Sequence, residues 1–377
     1  MLLLINCMIF LSLFFYDTSY IMSDSLALKF NISSLSAQRA LALEDLGAII
    51  GAVIAGPIGD NRGPRVVFSY SLICLLSACM LFLFCSNVIF MKIGMFICGI
   101  GVIGGLNGIF VFVDKFISEK KVPSVTKSMY ISMFVVSALV PLITERALRV
   151  FPVQYVLTFL ISTIICVFAL VLIKTPSIEK KPIGLSYFKD FKKLFAKKDF
   201  KVILGVCVLM LASFYSFVII MKNINLHSVD KFNLGYFQFG GRLVALASSL
   251  IITNILMKKS IFKVLKYTFI FSVCLFSFAL YSRIFLPSSI FILIGVFLCN
   301  CLIAGYAQPI GKTALIKTAT PLIGISQTLI NLMVKGTSMF SNIIIFWVPN
   351  PYGTYLLLSI FILMLSLIVV NLKAINK

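Results

Sequence analysis

Twelve runs of about twenty apolar residues, joined by short polar connections, dictate what this chain can fold into. They cover 2–22, 39–59, 66–86, 90–113, 127–144, 153–173, 202–221, 235–256, 265–282, 287–308, 323–347 and 353–372. About twenty residues of helix cross the hydrocarbon of a bilayer. Within that hydrocarbon a backbone must satisfy its own hydrogen bonds, so a spanning run is a helix unless it alternates like a barrel strand. These runs do not alternate. The expectation is an all-α polytopic membrane protein of twelve transmembrane helices. Only 12% of the 377 residues are charged and 60% are hydrophobic, against about 25% charged in a soluble chain. A soluble enzyme, a nucleic-acid binder and a disordered scaffold are thereby excluded. The first run lacks a basic leader and a small-residue cleavage site and carries Asp17, so it reads as a retained span.

The net charge of +21 belongs to topology, because the basic residues bracket the runs. With the N-terminus inside, the inner segments hold 23 lysines and arginines and the outer loops eight; Arg242 and Lys335 lie within spans. Both termini are expected in the cytoplasm, and the protein in the plasma (bacterial inner) membrane. The longest inner segment, 174–201, carries nine lysines and divides the spans six and six. Its Phe188, Phe191 and Phe195 recur at helical spacing among lysines, the pattern of an amphipathic helix on an anionic leaflet. Three parts are therefore expected: a six-helix half at 1–173, a basic linker at 174–201 and a second six-helix half at 202–377.

All ten cysteines fall inside apolar runs, so no disulfide framework is expected. His227 is the sole histidine, which leaves a Cys/His metal site without ligands. No metal or cofactor is expected.

The loop after the second run reads Gly56-Pro57-Ile58-Gly59-Asp60-Asn61-Arg62-Gly63-Pro64-Arg65. It resembles the motif that the major facilitator superfamily carries between helices two and three. Gly56, Asp60, Gly63 and Arg65 match in spacing; Asn61 and Pro64 depart, and Arg62 stands one place late. Asp17-Thr18-Ser19 resembles the start of a drug:proton antiporter motif, but the residues that should follow are missing. The antiporter's Gly-Pro in span five is here Val140-Pro141. The resemblance implies two six-helix halves around a central cavity bordered by helix eleven. Independently of it, Asp60 beside Arg62 and Arg65 at a helix end can hold one conformation closed and release it in another. An ordinary basic turn is the simpler alternative.

Gly99, Gly101 and Gly104 spell G-x-G-x-x-G, but they lie in mid-span with no strand before them, so helix packing is the reading. Gly47, Gly51, Ala55 and Gly59 recur every four residues and make a second smooth face.

Five ionisable residues lie inside spans: Asp17, Glu44, Asp45, Arg242 and Lys335. Each costs at least about 2.5–3.5 kcal/mol at a helix centre, so each needs a partner or a wet cavity. Glu44 and Asp45, nearer the outer end, are expected to be partly solvated, and sequence does not decide which one faces a cavity. In the eleventh run Gln327, Asn331, Lys335, Ser338 and Asn342 are spaced 4, 4, 3 and 4, which is one stripe of a helix. Such a stripe lines a cavity or packs as a polar seam. Asn107, Tyr215, Gln238 and Asn300 are further polar residues in spans.

The expected function is secondary active transport of a small organic solute by alternating access. Asp17, Glu44 and Asp45 are candidates for carrying a proton, Asp17 first. Arg242, Lys335, Asn331, Gln327, Gln238, Asn107, Tyr215 and Asn300 are candidates for the substrate cavity. Efflux or exchange by proton antiport and uptake of an amino acid, osmolyte or organic anion by symport both remain open. A lipid-modifying membrane enzyme would need an acid- or His-rich cluster at a membrane face, which the loops lack. The expected partners are a small solute, protons and lipid, with no nucleic acid, and the chain is expected to act as a monomer.

Overall fold

The computed structural model describes residues 2–118, 122–176, 192–193, 196–197, 200, 204, 234–256, 261–286, 294–305, 323–348 and 352–375. Six helices open the chain: α1 (Leu2–Lys29), α2 (Ser34–Arg62), α3 (Pro64–Phe84), α4 (Val88–Phe116), α5 (Val122–Val150) and α6 (Val153–Lys174). Five more follow: α7 (Leu234–Leu256), α8 (Ile261–Phe285), α9 (Ile294–Gly305), α10 (Ile323–Trp347) and α11 (Tyr352–Ile375). Eleven of the twelve expected runs correspond to these helices. Apart from Leu204, the run at 202–221, with Tyr215, lies outside the described residues, as do His227 and most of the 174–201 segment.

Local chemistry sets the helix ends. The hydropathy of the first run fades near Ser23 and Asp24, yet nothing there breaks a helix, and α1 continues to Lys29. It stops where Asn31 takes a left-handed φ of 51°. There the Ile32 N–H bonds the Ala27 carbonyl and the Asn31 N–H the Leu28 carbonyl, the crossed pair of a Schellman cap. Ser33 caps α2 by accepting from the Ser36 N–H at 3.2 Å, and Asn87 caps α4 from the Ile89 N–H at 2.9 Å.

Helices α2 to α6 contain stretches long and apolar enough to cross a membrane. In α1, Leu3–Ser19 and Ile21–Lys29 meet that standard together across a 69° bend. Thr18 and Ser19 just before the bend turn their hydroxyls back onto the carbonyls of Phe14 and Phe15, a pattern that bends helices. Helix α6 shows how a span divides its surface. Leu157, Leu160, Ile164, Val167 and Val171 are buried, while Tyr155, Phe159, Ile165 and Ile173 are exposed. Both sides are apolar, as a helix between protein and lipid requires.

The chain divides into two compact units. The first comprises Met1–Lys193 with Thr320–Gly336, and the second Leu194–Ala319 with Thr337–Lys377. In the first, α4 packs on α2 and α3, and α1 on α5. Glycines set the α2–α4 spacing. A Cβ on Gly47 would collide with the Phe96 carbonyl oxygen, one on Gly99 with the Glu44 carbonyl oxygen, and one on Gly51 would stand 2.8 Å from the Ile100 Cα. Both glycine patterns thus serve helix packing. In the second unit, α8 and α11 pair through stacked Phe276 and Phe361, ring centroids 5.8 Å apart. Ser248 of α7 donates to the Leu302 carbonyl of α9 at 2.7 Å.

Candidate functional site

The first unit gathers charge inside its apolar helices. Lys335, on the portion of α10 that belongs to this unit, donates to the Asp45 carboxylate of α2 at 2.7 Å. The two side chains are only 6% and 7% exposed. Tyr16 of α1 lays its ring against the same ammonium, 4.1 Å from nitrogen to centroid, a cation–π contact that strengthens as water is removed. Glu44, next to Asp45, is also buried, at 5%. The expected partial solvation of Glu44 and Asp45 is therefore corrected. Gly99 and Gly47 bring α4 onto the backbone that carries them, and both side chains are about nineteen-twentieths covered. Helix geometry also places both near one cation, although adjacent residues point about 100° apart: Lys335 bonds Asp45 and exerts its charge on Glu44.

One turn back along α10, the Asn331 amide nitrogen donates to the side-chain oxygen of Asn107 on α4 at 2.6 Å. The other amide atom of Asn107, Nδ2, is buried and has no hydrogen-bond partner among the described residues. Three residues earlier, Thr328 donates to the Ala52 carbonyl of α2 at 2.9 Å. Thr328, Asn331 and Lys335 are spaced 3 and 4, so one edge of α10 is bonded to α2 and α4. Of the expected stripe, Asn331 and Lys335 are in place on this edge. The side chains of Gln327, Ser338 and Asn342 lie outside the described residues, as does that of Gln238 on α7.

Asp17 is buried in α1 and accepts a hydrogen bond from the Ser137 hydroxyl of α5. In the second unit, Arg242 is half-buried on α7 with its charge felt at Cys301 of α9. Asn300 of α9 is buried, and its Nδ2 has no partner among the described residues.

The loop between α2 and α3 is built from the backbone outward. Gly63 takes φ 83°, a conformation that favours glycine, and its N–H bonds the Gly59 carbonyl at 3.1 Å. Pro64 then opens α3 at its first turn. Gly56 is buried, Asp60 and Arg65 are half-buried and Arg62 is exposed. Asn61, where the resembled motif has a basic residue, bonds the Pro57 carbonyl at 2.9 Å. A cation is brought onto the end of α2 from α4: Lys115 donates to the carbonyls of Gly59 and Asp60 at 3.1 and 2.6 Å.

Sequence reasoning missed Tyr16, Thr328, Ser137 and Lys115. Thr328 was findable from its spacing to Asn331 and Lys335. Tyr16, a half-apolar ring in an apolar run, gave no signal.

The fold defines a class, the helical membrane transporters. A solved POT family transporter in complex with 5-aminolevulinic acid superposes with a TM-score of 0.77 at 13% identity, covering 100% of this chain and 96% of that one. The human organic anion transporter MFSD10 superposes at 0.71 with 13% identity, over 98% of each chain. A D-xylose-proton symporter superposes at 0.71 with 14% identity, over 98% of this chain and 96% of that one. At such identities the likeness is one of fold. The sequence supplies the family: the Major Facilitator Superfamily model matches residues 2–342, and the chain belongs to that superfamily. It is an integral membrane transporter and not an enzyme. Comparison of the sequence with curated proteins gives no match.

Proposed function

We propose that this transporter moves a small organic solute across the plasma (bacterial inner) membrane by alternating access, coupled to protons. The observation that carries the reading is the buried Lys335–Asp45 pair with Glu44 beside it. Two carboxylates share one ammonium there, so the cluster is neutral when one of them holds a proton. A buried site with room for one proton in its charge balance is the simplest coupling device. Asp17, held by Ser137, is a third acid in the same unit.

In this reading Asn107, Asn331 and Lys335 contact the solute from the first unit. Gln327, Gln238, Tyr215, Asn300 and Arg242 complete the cavity. Asp60 with Arg62 and Arg65, on the Gly56–Gly63 loop, acts as the inner gate. The two six-helix halves at 1–173 and 202–377 rock about the solute, the linker 174–201 lies on the inner leaflet, and the chain works as a monomer. Sequence leaves proton antiport and symport both open; the likeness to a D-xylose-proton symporter supports symport.

The test is labelled-solute flux in proteoliposomes with an imposed pH gradient. Flux should follow the gradient and collapse with an uncoupler. Flux indifferent to both would overturn the proton coupling.

A further inference from the structure

We propose that the solute is an organic carboxylate, bound by Lys335 and the Asn107 amide while Asp45 takes a proton. The inference rests on the reading of the chain as a proton-coupled transporter.

A buried ion pair cannot simply open. Each partner left alone is an uncompensated charge in a medium that does not tolerate one. Lys335 can leave Asp45 only if something neutralises both at once. A proton does so for Asp45, and an anion does so for Lys335. In the closed pair an ammonium and a carboxylate sum to zero. In the loaded site a neutral carboxylic acid, an ammonium and the solute carboxylate also sum to zero. One proton enters from the aqueous side with the solute and binds an Asp45 oxygen. Lys335 keeps its three protons and exchanges one acceptor for another.

The surroundings supply the second donor. The Asn107 Nδ2, which has no hydrogen-bond partner among the described residues, is fully buried. Its side chain is tied to Asn331, one helical turn from Lys335 on the same edge of α10. An amide N–H and an ammonium, tied to α10 positions one turn apart, suit a group with two acceptor oxygens. A cationic solute would meet Lys335, and a hydrocarbon would leave the amide unsatisfied as before.

Among the described residues, the titratable and charged groups facing the Asp45–Lys335 pair include Glu44 on the same helix as Asp45, Tyr16 on α1 against Lys335, and Cys98 on α4 beside Glu44 and Lys335. Asp17 lies one residue from Tyr16 and bonds Ser137 of α5. An anion beside Lys335 is repelled by Glu44 if that group is ionised. Glu44 therefore also favours loading with a proton present, and the same experiment must include it.

The full chain in proteoliposomes is offered labelled probes in four classes: a carboxylate panel from acetate to citrate, D-xylose, tetraethylammonium and neutral methyl esters of the same acids. Inward flux is measured with and without an inward proton gradient. Gradient-driven flux of at least one carboxylate, with its methyl ester excluded, is expected. Lys335→Gln should lower carboxylate flux at least about tenfold, in the range found when one partner of a buried charged contact is truncated. Asp45→Asn should bring the ratio of flux with to without the gradient close to one, whereas Glu44→Gln should retain a ratio above one. Proton-driven flux of xylose or tetraethylammonium with none of the carboxylates would overturn the carboxylate and leave proton-coupled transport standing. Carboxylate flux indifferent to the proton gradient in the unmodified protein would overturn the proton-coupled reading as well as the proposal. Misfolded variants are recognised by their elution in detergent. The double variant Asp45→Asn/Lys335→Gln, which removes both charges of the pair together, then replaces the single ones; carboxylate flux surviving in it at the unmodified level would also overturn the proposal.

Discussion

A lysine inside an apolar helix is legible in any sequence; its partner is not. Lys335 demanded a counter-charge on desolvation grounds alone, and three acids were available in the first two runs. Only the approach of α2 to α10 selects Asp45, a contact across 290 residues of sequence. Lys335→Ala should leave Asp45 buried and uncompensated. The cost is about 3–5 kcal/mol, seen as a lower thermal midpoint in detergent together with lost transport. Lys335→Arg should retain the fold and only part of the flux, because a planar fork replaces a compact charge. Tyr16→Leu removes the aromatic face from the ammonium. A loss of roughly 1–2 kcal/mol is expected, as for a desolvated cation–π contact, measurable by the same thermal unfolding.

Elements were read well where their signal is periodic and poorly where it is conformational. The four-residue glycine spacing of α2 announced a close helix neighbour, and α4 is that neighbour. The length of α1 was underread because hydropathy falls where the helix continues; its end is an Asn31 backbone angle, which no hydropathy records. Glycines in α2 and α10 should respond in opposite ways to the same change. Gly47→Ala drives a methyl into the Phe96 carbonyl and must push α2 from α4; overpacking of this kind costs about 1–3 kcal/mol or more, read as lost thermal stability or poor membrane insertion. Gly336→Ala meets nothing within 4 Å and gains about 1 kcal/mol of helix propensity. It sits where α10 passes from one compact unit to the other, so the stiffer helix should raise stability and slow turnover in a flux assay. At the loop, Asp60→Asn leaves intact the backbone carbonyls that Lys115 grips. Insertion should therefore be normal while turnover falls several-fold; unchanged turnover would make the loop a basic turn and no gate.

For the whole molecule, class and family were legible because a bilayer admits so few solutions, and twenty-residue apolar runs state one of them openly. What the runs do not state is which parts cohere. Thr320–Gly336 lies far along the chain yet is grouped with the first unit, through contacts such as Thr328 to Ala52 and Asn331 to Asn107 that no local pattern encodes. Orientation is a charge property, and a reporter tests it directly. A fluorescent protein fused after Lys377 should be bright and an alkaline phosphatase there inactive, as the 23-to-8 bias of basic residues requires.

The glycine seam between α2 and α4 also constrains how selectivity could be redesigned. Because the two backbones touch, Glu44, Asp45 and Asn107 ride on one shared chassis, and a substitution that alters the spacing between them, such as Gly47→Ala, does so at the expense of the seam. The α10 edge is the other side of the site, where a new side chain at 331 changes what is offered to a solute and gives up one hydrogen bond to Asn107, while the glycine seam itself stays intact. A mutant library aimed at altered cargo is best spent there, and variants recovered from it should cluster on α10 and spare the seam.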